Sequence, residues 1–176
     1  SIAFNNGTLT NGYEGSGDKN GFKLGGEGVH VPHVIKNSLA FGNGSYGFTS
    51  NSNPGVDALD NISFDNGGAN ADFSTYSHIE PDFTIDAFAS IRTTGHVKDS
   101  YPAENAADVN FFFNGEESVN ASGERLPTNT LLQSLEQLFH FDEDGNIVSV
   151  KRDEDGNILW GNLWETFDDI IQNDSE

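Results

Sequence analysis

Seven residues recur three times near the start of the chain: "SIAFNNG" at 1–7, "SLAFGNG" at 38–44 and "NISFDNG" at 61–67. Their phenylalanines, Phe4, Phe41 and Phe64, lie 37 and 23 residues apart. A second set alternates with the first: Gly21-Phe22-Lys23-Leu24, Gly47-Phe48-Thr49-Ser50 and Asp72-Phe73-Ser74-Thr75. Short units that return at an interval of some two dozen residues cannot each bury a core alone, so they have to stack on one another. Within a unit the alternation has period two with Phe expected inward, so that Leu39 points the same way as Phe41, and Ile62 the same way as Phe64. Each Phe of the first set is followed two residues later by Asn6, Asn43 or Asn66. An asparagine repeated at one corner can take a left-handed conformation and stack its amide on the next.

The expected fold class is therefore all-β, a right-handed parallel β-helix, with strands at 21–24, 47–50 and 72–75 in register and Phe22, Phe48 and Phe73 inside. The longer first step contains Thr8–Lys19, "TLTNGYEGSGDK", a polar, glycine-rich loop of the kind that more often carries function than packing. Ser1 aligns with Ser38 in mid-strand, so the coil is expected to continue upstream of residue 1. Further strands are expected over 83–92 and 109–113. Residues 1–127 are read as the coils and 128–176 as an extension packing on the last of them. That extension has a helix over 128–139 behind a Thr130–Gln133 capping box, a hairpin, and a terminal helix over 163–171 with Trp164, Phe167 and Ile171 aligned.

Charge excludes one class of partner. The net charge is −20, and residues 1–50 carry as many bases as acids, so the excess lies wholly behind them. Phosphate backbones need basic surface, and nucleic acid is not expected to bind. The chain has no cysteine, which rules out disulfides and thiolate metal sites. No stretch reaches the length of a membrane span. "DEDGN" at 142–146 and 153–157 lacks the flanking ligands of an EF-hand loop and reads as two hairpin turns. His30 and His33 alone have a spacing open to a metal, and no metal ligand set is assigned from the residues. Lys23 stands out because its partners along the stack, read as Thr49 and Ser74, are small. Its head would face a polar groove.

"NGFKLGG" at 20–26, "VPHVIKNSLAFGNGSYGFTSNSNPG" at 31–55 and "NISFDNGGAN" at 61–70 resemble the C-terminal half of the catalytic β-helix of polysaccharide lyase family 9, the pectate lyases. "FFFNGEESVNASGE" at 111–124 and "DGNILWG" at 155–161 resemble it more loosely. The resemblance implies a secreted, extracellular enzyme that cleaves polygalacturonate of plant cell walls by β-elimination and acts as a monomer. It implies Lys23 as the Brønsted base, which must be a neutral amine to take the C5 proton of a uronate, so alkaline optima are expected. Lys19, Thr49 and Asn51 become candidate substrate contacts. It also implies Ca²⁺, held by aspartates on coils before residue 1. Asp18 is the nearest aspartate to Lys23 and makes no cage alone. The alternatives are another β-helix uronate lyase or epimerase, or a non-catalytic adhesin or polysaccharide-binding β-helix.

Overall fold

The computed structural model describes residues 1–8, 15–93, 99–113, 117–119, 125–127 and 130–173. The chain forms two compact units, Ser1–Leu126 and Pro127–Glu176. In the first, the strands are β1 (Ile2–Phe4), β2 (Phe22–Lys23), β3 (Val34–Lys36), β4 (Leu39–Phe41), β5 (Phe48–Thr49), β6 (Asp57–Phe64), β7 (Ala71–Asp72), β8 (Thr84–Arg92), β9 (Val109–Phe113), β10 (Glu117–Val119) and β11 (Arg125–Pro127).

These strands fall into three parallel stacks. The first contains β2, β5 and β7, and an isolated bridge from Asp72 extends it to Ser100. The second pairs Val34–Lys36 with the first half of β6, and that half with Thr84–Asp86 of β8. The third runs β1, β4, the second half of β6, the second half of β8 and then β9, before β10 turns antiparallel. The chain visits first, second and third stack in that cycle. The two strand types of the sequence repeat are thus three, because β6 and β8 each bend in mid-run and serve two stacks. The bends are at Asp60 and Ala87, with φ of 54° and 53°, and Asn37 makes the same turn between β3 and β4 with φ of 46°.

The three corner heptads pair in the expected register: Ile2 with Leu39 and Ile62, and Phe4 with Phe41 and Phe64. Their rings stack at 5.1 and 4.8 Å with nearly parallel planes. They do not, however, point into the cluster that holds Phe48. Ala40 packs with Phe48, Phe73, Ile35 and Phe88 in that core, so Leu39 and Phe41 on either side of it face the opposite way. Both faces of β4 are buried. Period-two alternation marks two faces, but it does not say which one lines the common core.

The corner itself also differs from expectation. The left-handed residues are Asn5, Gly42 and Asp65, with φ of 53°, 58° and 47°, each one position before the repeated asparagine. Asn43 and Asn66 are buried behind this turn and use their amides to tie the coils together. The Nδ2 of Asn43 donates to Oδ1 of Asn66 at 2.8 Å, and that of Asn66 donates to Oδ1 of Asn70 at 2.9 Å. Asn6 joins the column through its backbone N–H, which donates to Oδ1 of Asn43, while its side chain bonds to the Asn20 carbonyl. The column therefore continues through Asn70, which is not one of the repeated positions.

In the first stack the third strand sits two residues away from the expected register. Phe48 pairs with Ala71 and Thr49 with Asp72, so the counterpart of Lys23 and Thr49 is Asp72, not Ser74. A slip of two preserves facing, and Phe73 is still buried. Phe22 stacks on Phe48 at 5.0 Å, but Phe48 then meets the edge of Phe88 at 5.4 Å, and Phe88 meets Phe73 at 5.9 Å. The small Ala71 leaves the space that Phe88 occupies. Counting from the corner would have found this register: both Phe48 and Ala71 lie five residues after their asparagine.

The second unit contains α1 (Thr130–Glu136), the antiparallel hairpin β12 (Phe139–Phe141) and β13 (Ile147–Val150), and α2 (Leu163–Asn173). Leu131, Leu135 and Leu138 are buried as the helical spacing required, and α2 buries Leu163 and Phe167. α1 ends before Leu138, which lies in the turn leading to the hairpin. The proposed capping box rests on the Thr130 side chain, which lies outside what the structure describes, as do the side chains of the 111–124 segment. Both "DEDGN" segments close turns: Oδ1 of Asp142 and of Asp153 each accept the N–H of the asparagine four residues on, at 2.8 Å. These hydrogen bonds, from Asn146 and Asn157 first of all, hold both carboxyls below the ordinary aspartate range.

Candidate active site

Lys23 is placed by its neighbours rather than by its own contacts. Phe22 turns into the core against Phe48, and period two then turns Lys23 outward on the first stack. Backbone bonds fix the strand on both sides: Phe22 N–H donates to Gly47 O at 2.8 Å and Leu24 N–H to Thr49 O at 2.9 Å. The glycine before this triplet has a steric reason. A β-carbon at Gly21 would lie 2.5 Å from the Gly47 carbonyl oxygen and 2.8 Å from Nδ2 of Asn43. The coil can pass this close to the next one only without a side chain.

The Lys23 side chain is 45% exposed, and its ammonium pairs with the carboxylate of Asp18. Asp18 comes from the end of the loop that lengthens the first repeat step. The chain just after it is pinned: Ser45 N–H donates to Lys19 O at 3.0 Å, and Tyr46 N–H donates to Oδ1 of Asn20 at 3.1 Å. Lys19 has φ of 60°, and its stem lies over Gly7 and Gly44, where a β-carbon on either glycine would meet it within about 3 Å. It is thus seated on the corner side of the coil.

Beside the Lys23–Asp18 pair is an open depression of about 350 Å³, walled by Asp18, Asn20, Tyr46, Thr49, Asn51 and Asp72 among others. Thr49 is only 2% exposed. Its hydroxyl donates to Oδ2 of Asp72 at 3.1 Å and accepts from Asn51 N–H at 3.0 Å. Asn51 has φ of 49°, and its Nδ2 donates to the Gly25 carbonyl at 2.6 Å. The second oxygen of Asp72 accepts from Ser74 Oγ at 3.0 Å. Sequence reasoning missed Asp72 because aligning on Phe73 put Ser74 in its place.

One coil further on, Asp99 receives the N–H groups of Asn70 and Ala71 and the hydroxyl of Ser90. Burial raises its carboxyl above the ordinary value, against the pull of these bonds and of Arg92. Burial, followed by the charge of Asp99, pushes the Tyr101 phenol up to about 12.

Among the described residues no three acidic or histidine side chains come together that could cage a calcium ion. The two carboxylates beside Lys23 are already engaged, Asp18 with the ammonium and Asp72 with two hydroxyls. His30 faces Asp82, with Nε2 and Oδ2 3.1 Å apart.

Residues 1–93 match the family model described as the Pel9A-like, right-handed β-helix region. The chain belongs to polysaccharide lyase family 9. It is 53% identical over 137 residues to pectate lyase L of Thermoclostridium stercorarium, covering 78% of this chain and 11% of that protein. It is 37% identical over 126 residues to pectate lyase L of Paenibacillus polymyxa strain SC2, covering 70% of this chain and 26% of that protein. A pectate disaccharide-lyase of Dickeya chrysanthemi is 56% identical over 48 residues, 27% of this chain and 6% of the relative. The chain thus spans about a tenth to a quarter of the length of the first two relatives. No solved structure matches it significantly.

Proposed function

We propose that this family 9 chain forms part of a secreted pectate lyase whose right-handed parallel β-helix carries Lys23 as the base of β-elimination on polygalacturonate. The observation that carries the reading is the outward placement of Lys23 on the first stack, beside an open, polar depression, in a chain whose relatives are named pectate lyases.

In the proposed step the neutral amine of Lys23 takes the hydrogen from C5 of a bound uronate. The electron pair left on C5 forms the C4–C5 double bond as the C4–oxygen bond breaks. The departing oxygen takes a proton and becomes the new reducing end. The other fragment keeps a 4,5-unsaturated ring at its non-reducing end. A base seated within hydrogen-bond reach of the proton contributes typically 10²–10⁴-fold. The ammonium is paired with Asp18 in the structure, so a bound substrate has to separate that pair or admit its proton to solvent.

The family implies Ca²⁺ as cofactor. The described residues do not fit a site for it, so its ligands are proposed to lie on residues outside this chain, and no step above passes through it. Lys19, Thr49 and Asn51 remain proposed sugar contacts. Thr49 would act mainly by fixing Asp72 and the Asn51 backbone.

Ultraviolet absorbance of the unsaturated product, followed on polygalacturonate with the full-length protein, tests the reading. Release of that product by wild type and its loss in Lys23→Ala supports it. Binding of the polymer without any unsaturated product would make the chain a polysaccharide-binding module instead.

A further inference from the structure

The first stack changes character along its length. In register on its outward side come Lys23, Thr49 and Asp72, so a cation gives way to a carboxylate within three strands. The depression on that side is walled by two charged side chains among the described residues, and both are carboxylates, Asp18 and Asp72. The rest of its wall is amide, hydroxyl and the ring of Tyr46, which is 37% exposed. Asp72 is held in one pose by Thr49 and Ser74, each donating to a different oxygen.

Such a wall suits the hydroxyl edge of a sugar and not its acid edge. Neighbouring ring hydroxyls donate to a fixed carboxylate in charge-assisted bonds. An exposed aromatic ring offers an apolar face with a polar tip to the C–H side of a pyranose. A uronate carboxylate turned into the same space would meet the like charge of Asp72, while the cation at its edge, Lys23, is already engaged by Asp18.

We propose that this depression is a subsite for the sugar unit next to the one attacked by Lys23, and that Asp72 makes it select an uncharged unit, a methyl-esterified uronate or a neutral sugar. The proposal rests on the lyase reading above. Asp72 is here a specificity determinant and takes no part in proton transfer.

The test compares kcat/KM of the full-length enzyme on fully de-esterified polygalacturonate and on partly methyl-esterified pectin, for wild type, Asp72→Asn and Asp72→Glu. Asp72→Asn is expected to raise the ratio of de-esterified to esterified activity by about threefold, the size of one exposed like-charge contact. The change should come through KM with kcat little altered, and Asp72→Glu should keep the wild-type ratio. Melting temperatures of the variants identify any that fail to fold, and Asp72→Ser then replaces such a variant. Elimination that persists in Asp72→Asn with an unmoved ratio, or with a ratio that falls, overturns the subsite proposal alone. Absence of elimination in wild type overturns the lyase reading and this proposal with it.

Discussion

Asn43 donates through Nδ2 to Oδ1 of Asn66 across 2.8 Å, and both residues are at most 1% exposed. The same nitrogen donates to the Ala3 carbonyl at 3.1 Å, and Oδ1 of Asn43 accepts the Asn6 N–H at 3.1 Å. One amide therefore satisfies groups on the coil before it and the coil after it. In a space where water cannot substitute, that makes it a tie between coils rather than a local cap.

Asn43→Ala should accordingly destabilise the fold by more than a loop substitution does. Each buried partner left unpaired costs roughly 1–3 kcal/mol. At about 2–4 °C per kcal/mol for a domain of this size, the melting temperature should fall by several degrees. Asn6→Ala should cost less, because its side chain bonds at an exposed site to Asn20. Equal melting temperatures for the two variants would count against the column.

Gly47 is the steric counterpart of that column. A β-carbon there would lie 2.0 Å from Ser63 Oγ, 2.6 Å from Asn66 Nδ2 and 2.7 Å from the Asn70 carbonyl. Two of these atoms belong to the buried amide network and the third to backbone, so none can yield cheaply. Gly47→Ala should cost at least the 1–3 kcal/mol typical of overpacking, measured by denaturant midpoint. Gly145→Ala is a different case. Its β-carbon would meet nothing, and only the positive φ of 83° opposes it.

The corner heptads were legible because their shape repeats: aromatic, spacer, asparagine, glycine. Phe4, Phe41 and Phe64 are in the register that their spacing required. The register of the third first-stack strand was not legible from phenylalanine, since Phe73 is core for a different reason, its contact with Phe88 and Phe83. Corner length would have been the better guide, because a four-residue corner is fixed by backbone geometry while a buried ring can be supplied from any neighbouring stack. Lys23 stands out in the sequence by its pattern and by family resemblance, and the outward placement that the pattern predicts is what the structure has. Asp18 was noticed but its pairing was not foreseen, since an ion pair across a polar loop leaves no periodic trace.

Asp99 links the far end of the first stack to pH. Its carboxyl is raised in the folded state by burial. A raised carboxyl stabilises the fold in its protonated form, so this contribution is fully present below the unfolded value and is lost as pH rises through the folded one. Asp99→Asn removes the titration. The stability of wild type relative to Asp99→Asn should therefore increase as pH is lowered from neutrality toward the ordinary aspartate range. Denaturant melts of both proteins across that window give the difference directly. A difference that shrinks on acidification would mean that the hydrogen bonds from Asn70, Ala71 and Ser90 outweigh burial.

Lys23 and Lys36 separate a single base from a diffuse basic surface. Both are exposed on strands, but Lys23 is on the first stack beside the depression and Lys36 is on the second, paired with Leu59. Lys23→Ala loses one surface ion pair, worth at most about 1 kcal/mol, so its melting temperature should stay close to that of wild type. Its elimination rate on polygalacturonate should nevertheless fall by roughly 10²–10⁴-fold, the usual contribution of a positioned base. Lys23→Arg should not restore the rate, because a guanidinium stays protonated and cannot accept the C5 hydrogen. Lys36→Ala should change the rate by less than about threefold, as a distant surface charge does. Initial rates of unsaturated product formation in the full-length enzyme decide among these outcomes. Equal losses from the two alanine variants would point to electrostatic attraction of the polymer by the whole surface, and an undiminished rate in Lys23→Ala would remove Lys23 from the chemistry.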